Sequence, residues 1–73
     1  MVKAVMLVRV KPQIRIAEKA KGLEGVKDVF DVTGRFDAVI VIDVKGLSDI
    51  KKVALKVQKI KGVRRTETLI HVE

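Results

Sequence analysis

The sequence predicts an α+β domain with the element order βαββαβ. Two stretches rich in Val, Ile and Met read as strands, Val2 to Val10 and Phe36 to Val44. Two segments carry apolar residues at helical spacing: Ile16, Ala17, Ala20 and Leu23, then Ile50, Val53, Ala54, Val57 and Ile60. The third observation is a weak internal duplication. Leu23-Glu24-Gly25-Val26-Lys27 resembles Ile60-Lys61-Gly62-Val63-Arg64, an offset of 37 residues from Gly25 to Gly62. The same offset lays Val2–Leu7 over Val39–Val44, Ala17 over Ala54 and Ala20 over Val57. Two strand–helix–strand units follow, with Val29–Thr33 and Arg65–Val72 as the remaining strands.

Each helix carries boundary signals. Pro12 is expected in the first turn of helix one, where a missing N–H is harmless, and Gly22 as its terminator. Ser48 is expected to cap helix two, with Asp49 at its positive end and Gly62 closing it. The βαββαβ order is the ferredoxin-like arrangement: a four-stranded antiparallel sheet with both right-handed crossovers placing their helices on one face. The central strands are apolar on both sides. Ala4, Met6, Val8 and Val10 oppose Val5 and Leu7, and Ala38, Ile40, Ile42 and Val44 oppose Val39 and Val41. Helices cover one face. The second face is expected to be covered by another copy's sheet, because broad apolar patches are rarely left in water.

With 73 residues, the chain is read as a single domain spanning 1–73. A domain this short is marginal alone, and without cysteine no disulfide or thiolate metal site can help. The 48% hydrophobic and 34% charged composition, without Asn, Cys or Trp, resembles that of proteins adapted to high temperature. No apolar run approaches the roughly 20 residues of a membrane span, and the N-terminus lacks a signal-peptide cleavage site, so a cytoplasmic location is expected. The net charge of +7 raises nonspecific nucleic-acid binding as an alternative. Its lysines are interleaved with acids, and Phe30 and Phe36, the two aromatics, are read as core, so no base-stacking platform is expected.

Catalysis is not expected. His71 is the sole histidine, Ser48 is accounted for by capping, and no glycine-rich phosphate motif occurs. Asp28, Asp31 and Asp37 lack metal-ligand spacing, so neither metal nor cofactor is anticipated.

One segment exceeds the needs of packing: Val32-Thr33-Gly34-Arg35-Phe36-Asp37, between the second and third strands. Gly34 suits a turn with positive φ, lets a ligand approach the backbone, and leaves N–H groups for a carboxylate; Asp37 could accept from an ammonium. This stretch resembles the V-T-G-x-[YF]-D signature of the Lrp/AsnC effector domain. Ile60 to Thr68 is similar to that family's L-x-G-V-x-x-[ST]-x-T close, and Leu23–Val26 to its step into the second strand. The resemblance covers essentially the whole chain. It implies a ferredoxin-like domain pairing sheet to sheet as dimers, which assemble further, often as rings of four (an octamer), with amino-acid effectors bound between dimers. The positions it assigns to the ligand are Gly34, Arg35, Phe36 and Asp37, with Thr66, Glu67 and Thr68 as secondary candidates.

Full-length members begin with a helix-turn-helix domain, whereas this chain starts at the first sheet strand. The resemblance therefore implies a stand-alone effector module without specific DNA binding, which buffers an amino acid or co-assembles with a full-length Lrp/AsnC regulator. A purely structural oligomerisation partner is the alternative. The ACT domain, another ferredoxin-like amino-acid sensor, is the nearest rival, but its glycine-containing first turn has no counterpart in Val10-Lys11-Pro12-Gln13.

Overall fold

The computed structural model describes residues 2–71. Six elements follow in order: β1 (Val2–Val10), α1 (Ile16–Ala20), β2 (Val26–Asp31), β3 (Ala38–Val44), α2 (Leu47–Gln58) and β4 (Val63–Ile70). The strands form one antiparallel sheet in the order β2-β3-β1-β4, the ferredoxin-like topology. The final strand was expected to reach Val72, which lies outside the described residues.

The core lies between the helices and one face of the sheet. Ala4, Met6 and Val8 of β1 and Ala38, Ile40, Ile42 and Val44 of β3 pack with Ile16, Ala20, Ile50, Val53 and Val57. Those strand residues occupy alternate positions, so a single parity faces the helices. Each large aliphatic side chain removed from water stabilises the fold by roughly 1.5–3 kcal/mol.

Helix one differs from expectation. It has five residues and begins at Ile16, so Pro12 lies outside it. Ile14 N–H donates to the Lys11 carbonyl at 3.2 Å, and Gln13 sits at φ 79. These features fit a type II turn, which places Pro12 at its favoured second position and demands a positive φ at the third. Helix two starts at Leu47, with Gly46 in extended conformation as N-cap and no side-chain capping bond. Asp49 N–H donates to the Gly46 carbonyl at 3.1 Å, so Ser48 sits inside the first turn and is not the cap. Asp49 does lie in that first turn. Both ends of β2 shift as well: it begins at Val26 and stops at Asp31, two residues short of Thr33.

The duplication holds where helices run into outer strands. Residues 16–30 and 53–67 have the same burial class position by position. The turns repeat their bonds: Leu23 N–H to Ala20 O and Val26 N–H to Leu23 O are matched by Ile60 N–H to Val57 O and Val63 N–H to Ile60 O. Gly25 and Gly62 occupy the same turn position at φ 92 and 98. A Cβ on Gly62 would lie 2.5 Å from Ile14 Cγ1, and one on Gly25 2.8 Å from Val53 Cγ2. The inner strands depart from the offset. Ala4 and Met6 are buried whereas Val41 and Asp43, at the same offset, are not, so the correspondence is one residue out of phase there. The five residues between β1 and α1, against two between β3 and α2, absorb the difference.

The face away from the helices carries two cross-strand rows: Phe30–Val39–Leu7–Glu67 and Asp28–Val41–Val5–Leu69. Val5, Leu7, Val39 and Val41 are half-buried among these neighbours, while Phe30 and Leu69 are 46% and 49% exposed. Phe30 is therefore a surface residue of the open face and not part of the core. The apolar patch inferred from strand alternation is present.

Two stability measurements check these assignments. Gly62→Ala combines a left-handed backbone with a clash and should cost about 2–4 kcal/mol, whereas Gly34→Ala, whose Cβ would meet nothing within 4 Å, should cost only about 1 kcal/mol. Ser48→Ala should change the unfolding free energy by less than about 0.5 kcal/mol, since a true N-cap would cost about 1. Denaturant midpoints of the three variants decide both.

Candidate functional site

The hairpin between β2 and β3 is clasped to the end of β1 by Asp37. Its N–H donates to Val8 O at 2.9 Å, and its carbonyl accepts from Val32 N–H at 2.9 Å. Its Oδ2 accepts from Val10 N–H at 2.8 Å in a partly buried position. Arg9 adds a third tie between β1 and the hairpin, donating through Nη1 to the Arg35 carbonyl at 2.8 Å. A charge-assisted bond from a backbone N–H to a carboxylate is about twice as strong as a neutral one. The aspartate thus has a structural duty that the sequence reading did not assign. Its Oδ1 has no protein partner among the described residues.

Beside this clasp lies a cleft of about 400 Å³ lined by Arg9, Val10, Lys11, Pro12, Gln13, Ile14, Asp37 and Arg64. Four parts of the chain supply it: the end of β1, the Pro12 turn, Asp37 of the hairpin and the start of β4. They converge because Lys11 N–H donates to Gly62 O at 2.9 Å, drawing the two turns together. Three cations surround one carboxylate, so the rim is cationic. Gln13 lines it in a left-handed conformation that non-glycine residues seldom adopt, and such positions cluster at functional sites. An anionic group would be attracted by the rim, and an ammonium by Asp37 Oδ1.

The predicted residues are only partly assembled. Gly34, Arg35, Phe36 and Asp37 form one hairpin, with Gly34 at φ 126 as expected for its turn. Gly34 and Arg35 are exposed and Phe36 half-buried. Thr66, Glu67 and Thr68 lie on β4, across β1 from the hairpin side of the sheet. Thr66 is on the helix side, accepting from Gln58 Nε2 at 3.1 Å, and Thr68 shares that side opposite Met6; Glu67 is on the open face opposite Leu7. The three therefore do not join the hairpin within one protomer. Arg9, Lys11, Gln13 and Arg64 were not anticipated. The one available signal was the Lys11-Pro12 step, which marks a turn as readily as a helix start.

A larger cleft of about 470 Å³ lies at the opposite end of the strands, among Glu24, Gly25, Asp43, Lys45, Asp49, Lys52 and Lys56. Its charges alternate in sign, and Asp49 already meets Lys52 at 3.9 Å. One Asp43 oxygen is buried without a partner. Size alone does not make this the better site, because no set of groups there converges on one ligand chemistry. Among the described residues no cluster of metal-ligating side chains occurs, and no helix is long and apolar enough to cross a membrane.

Comparison with known proteins agrees with the fold. The family model for the Lrp/AsnC ligand binding domain matches residues 3–73. The HTH-type transcriptional regulator LysM of Sulfurisphaera tokodaii is 29% identical over 72 residues, covering 94% of this chain and 51% of that protein. This chain therefore spans about half the length of the curated relative it matches. The crystal structure of TTHA0845 from Thermus thermophilus superposes with a TM-score of 0.94 at 29% identity, covering 100% of this chain and 95% of that one. The transcriptional regulator NMB0573 of Neisseria meningitidis, solved as an L-Met complex, matches with a TM-score of 0.84 at 14% identity, over 99% of this chain and 50% of its own. That last likeness is one of fold.

The clasp itself can be tested apart from any ligand. Asp37→Ala leaves the Val10 N–H unpaired and should destabilise the domain by about 1–3 kcal/mol, whereas Asp37→Asn keeps an acceptor and should cost less. Amide exchange at Val10 should accelerate in the alanine variant well beyond that in the asparagine variant.

Proposed function

This chain belongs to the Lrp/AsnC ligand-binding domain family, and from that premise we propose that it is an amino-acid-responsive regulatory module that works by binding and assembly, without turnover. The observation that carries the reading is the disposition of Asp37. One of its oxygens holds Val10, the other has no protein partner among the described residues, and Arg9, Lys11 and Arg64 stand around the same cleft. An amino acid's two charged groups suit that pairing: its ammonium meets Asp37, while its carboxylate meets backbone N–H groups near Gly34 and Arg35 or the cationic rim. The L-Met complex of the Neisseria regulator supports the same ligand class.

Assembly completes the reading. The open face, with Val5, Leu7, Val39, Val41, Phe30 and Leu69, is covered by the sheet of a second copy, and dimers associate further around the hairpins. Glu67 then lies in the sheet-to-sheet contact, and the ligand's side chain faces a neighbouring dimer. A ligand that prefers the assembled form shifts the population toward it by mass action. Co-assembly with a longer regulator of the family extends this role to transcription.

Calorimetric titration with the twenty amino acids should give saturable heat for at least one. Asp37→Asn, folded but uncharged at that position, should weaken binding by about tenfold or more, the size of one lost charged hydrogen bond. Silence across the whole panel in the assembled protein overturns the sensor reading. In sedimentation, Val41→Lys should shift the protein toward monomer, since it puts a charge into the apolar contact. An unchanged assembly would remove the sheet-to-sheet contact.

A further inference from the structure

The net charge is carried by the helices and the turns that join them to the strands. Residues 11–24 and 45–61, which form α1, α2 and the turns leading into and out of them, hold ten of the sixteen Lys and Arg but three of the nine acids. Those two segments therefore carry the entire net charge of +7, and the rest of the chain is neutral. All ten basic residues are exposed. The open face is balanced, with Lys3, Arg9 and Arg65 against Asp28, Asp43 and Glu67. Interleaving of signs along the sequence conceals this, because six of the nine acids fall outside those two segments.

We propose that the helix layer is a docking surface for the phosphate backbone of duplex DNA, bound without regard to sequence. Lys52 and Lys56 of α2 and Lys59 at its C-cap follow one another at helical spacing, all exposed while Ile50, Val53 and Val57 are buried; Asp49 offsets Lys52 at 3.9 Å. A duplex offers about one negative charge per 1.7 Å of axis, and lysines that neutralise phosphates release condensed counterions. The layer holds no aromatic side chain, since Phe30 and Phe36 lie elsewhere, so single-stranded bases find no stacking platform. An anionic membrane is the weaker occupant. The apolar stripe of α2 is spent on the sheet, leaving no continuous apolar face to enter lipid. The surface lies opposite the proposed dimer contact, so assembly multiplies it and does not bury it.

The test is fluorescence anisotropy of a labelled duplex of arbitrary sequence, about 20 bp long, titrated with the intact protein from about 50 to 200 mM salt. Binding should be independent of sequence, with a log–log salt slope of about −3 to −4. The triple variant K52Q/K56Q/K59Q should flatten that slope by about 2–3 and weaken binding at least tenfold at low salt. Arg65→Gln, on the open face, should leave both nearly unchanged. Absence of binding at low salt overturns the proposal, as does equal loss from Arg65→Gln. Binding to vesicles containing anionic lipid without binding to the duplex overturns it in favour of a membrane surface.

Discussion

The ladder between β1 and β3 organises this domain. Seven residue pairs, from Val2–Val44 to Val8–Ala38, hold the two strands together at the centre of the sheet, and each strand is apolar on both sides. One side is satisfied inside the chain, because Met6, Ile40 and Ile42 are fully buried beneath the helices. The other side has only its neighbours to lean on. None of the described elements lies across it, so the chemistry that makes the central strands pair well also leaves an apolar surface in water.

The hairpin joining β2 to β3 is fastened to β1 at the end of the sheet by Asp37, with Arg9 adding its bond to the Arg35 carbonyl. The same fastening sets the carboxylate beside the Pro12 turn and the start of β4, where cations gather from separate stretches of chain. One oxygen of this side chain is thus committed to the fold, and the other is left for the ligand we propose. The duplicated turns at Gly25 and Gly62 act in a related way: each returns a helix to an outer strand through the same bonds, and the Gly62 turn carries the carbonyl that anchors Lys11.

Much of this was legible in the residues, and the failures have identifiable causes. Alternation in β1 and β3 is strong because burial on two faces leaves few polar positions, so strand identity, topology and the uncovered face could all be read. Helix one was overextended because a proline after a strand suits a type II turn as well as a first helical turn, and only the Gln13 backbone separates them. Ser48 reads as a cap because its hydroxyl can accept a bond; the chain instead enters the helix two residues sooner, from an extended glycine. The hairpin was visible as a motif. Its cationic surroundings were not, since Arg9, Lys11 and Arg64 meet only through strand register and a backbone bond to Gly62, which no spacing rule encodes.

The two rows on the open face hold one more consequence. Turning that face through half a revolution about its centre lays Phe30 where Leu69 was, Val39 where Val5 was, Leu7 where Val41 was, and Glu67 where Asp28 was. Grease exchanges with grease and acid with acid. A stacking copy would therefore meet nearly the same middle in either of two headings, and the middle cannot tell them apart. The choice falls to the margins, where Arg9 beside Arg65 marks one end and Lys3 beside Asp43 the other. In such a stack the apolar centre would supply adhesion, and the few charges at the border would act as the compass.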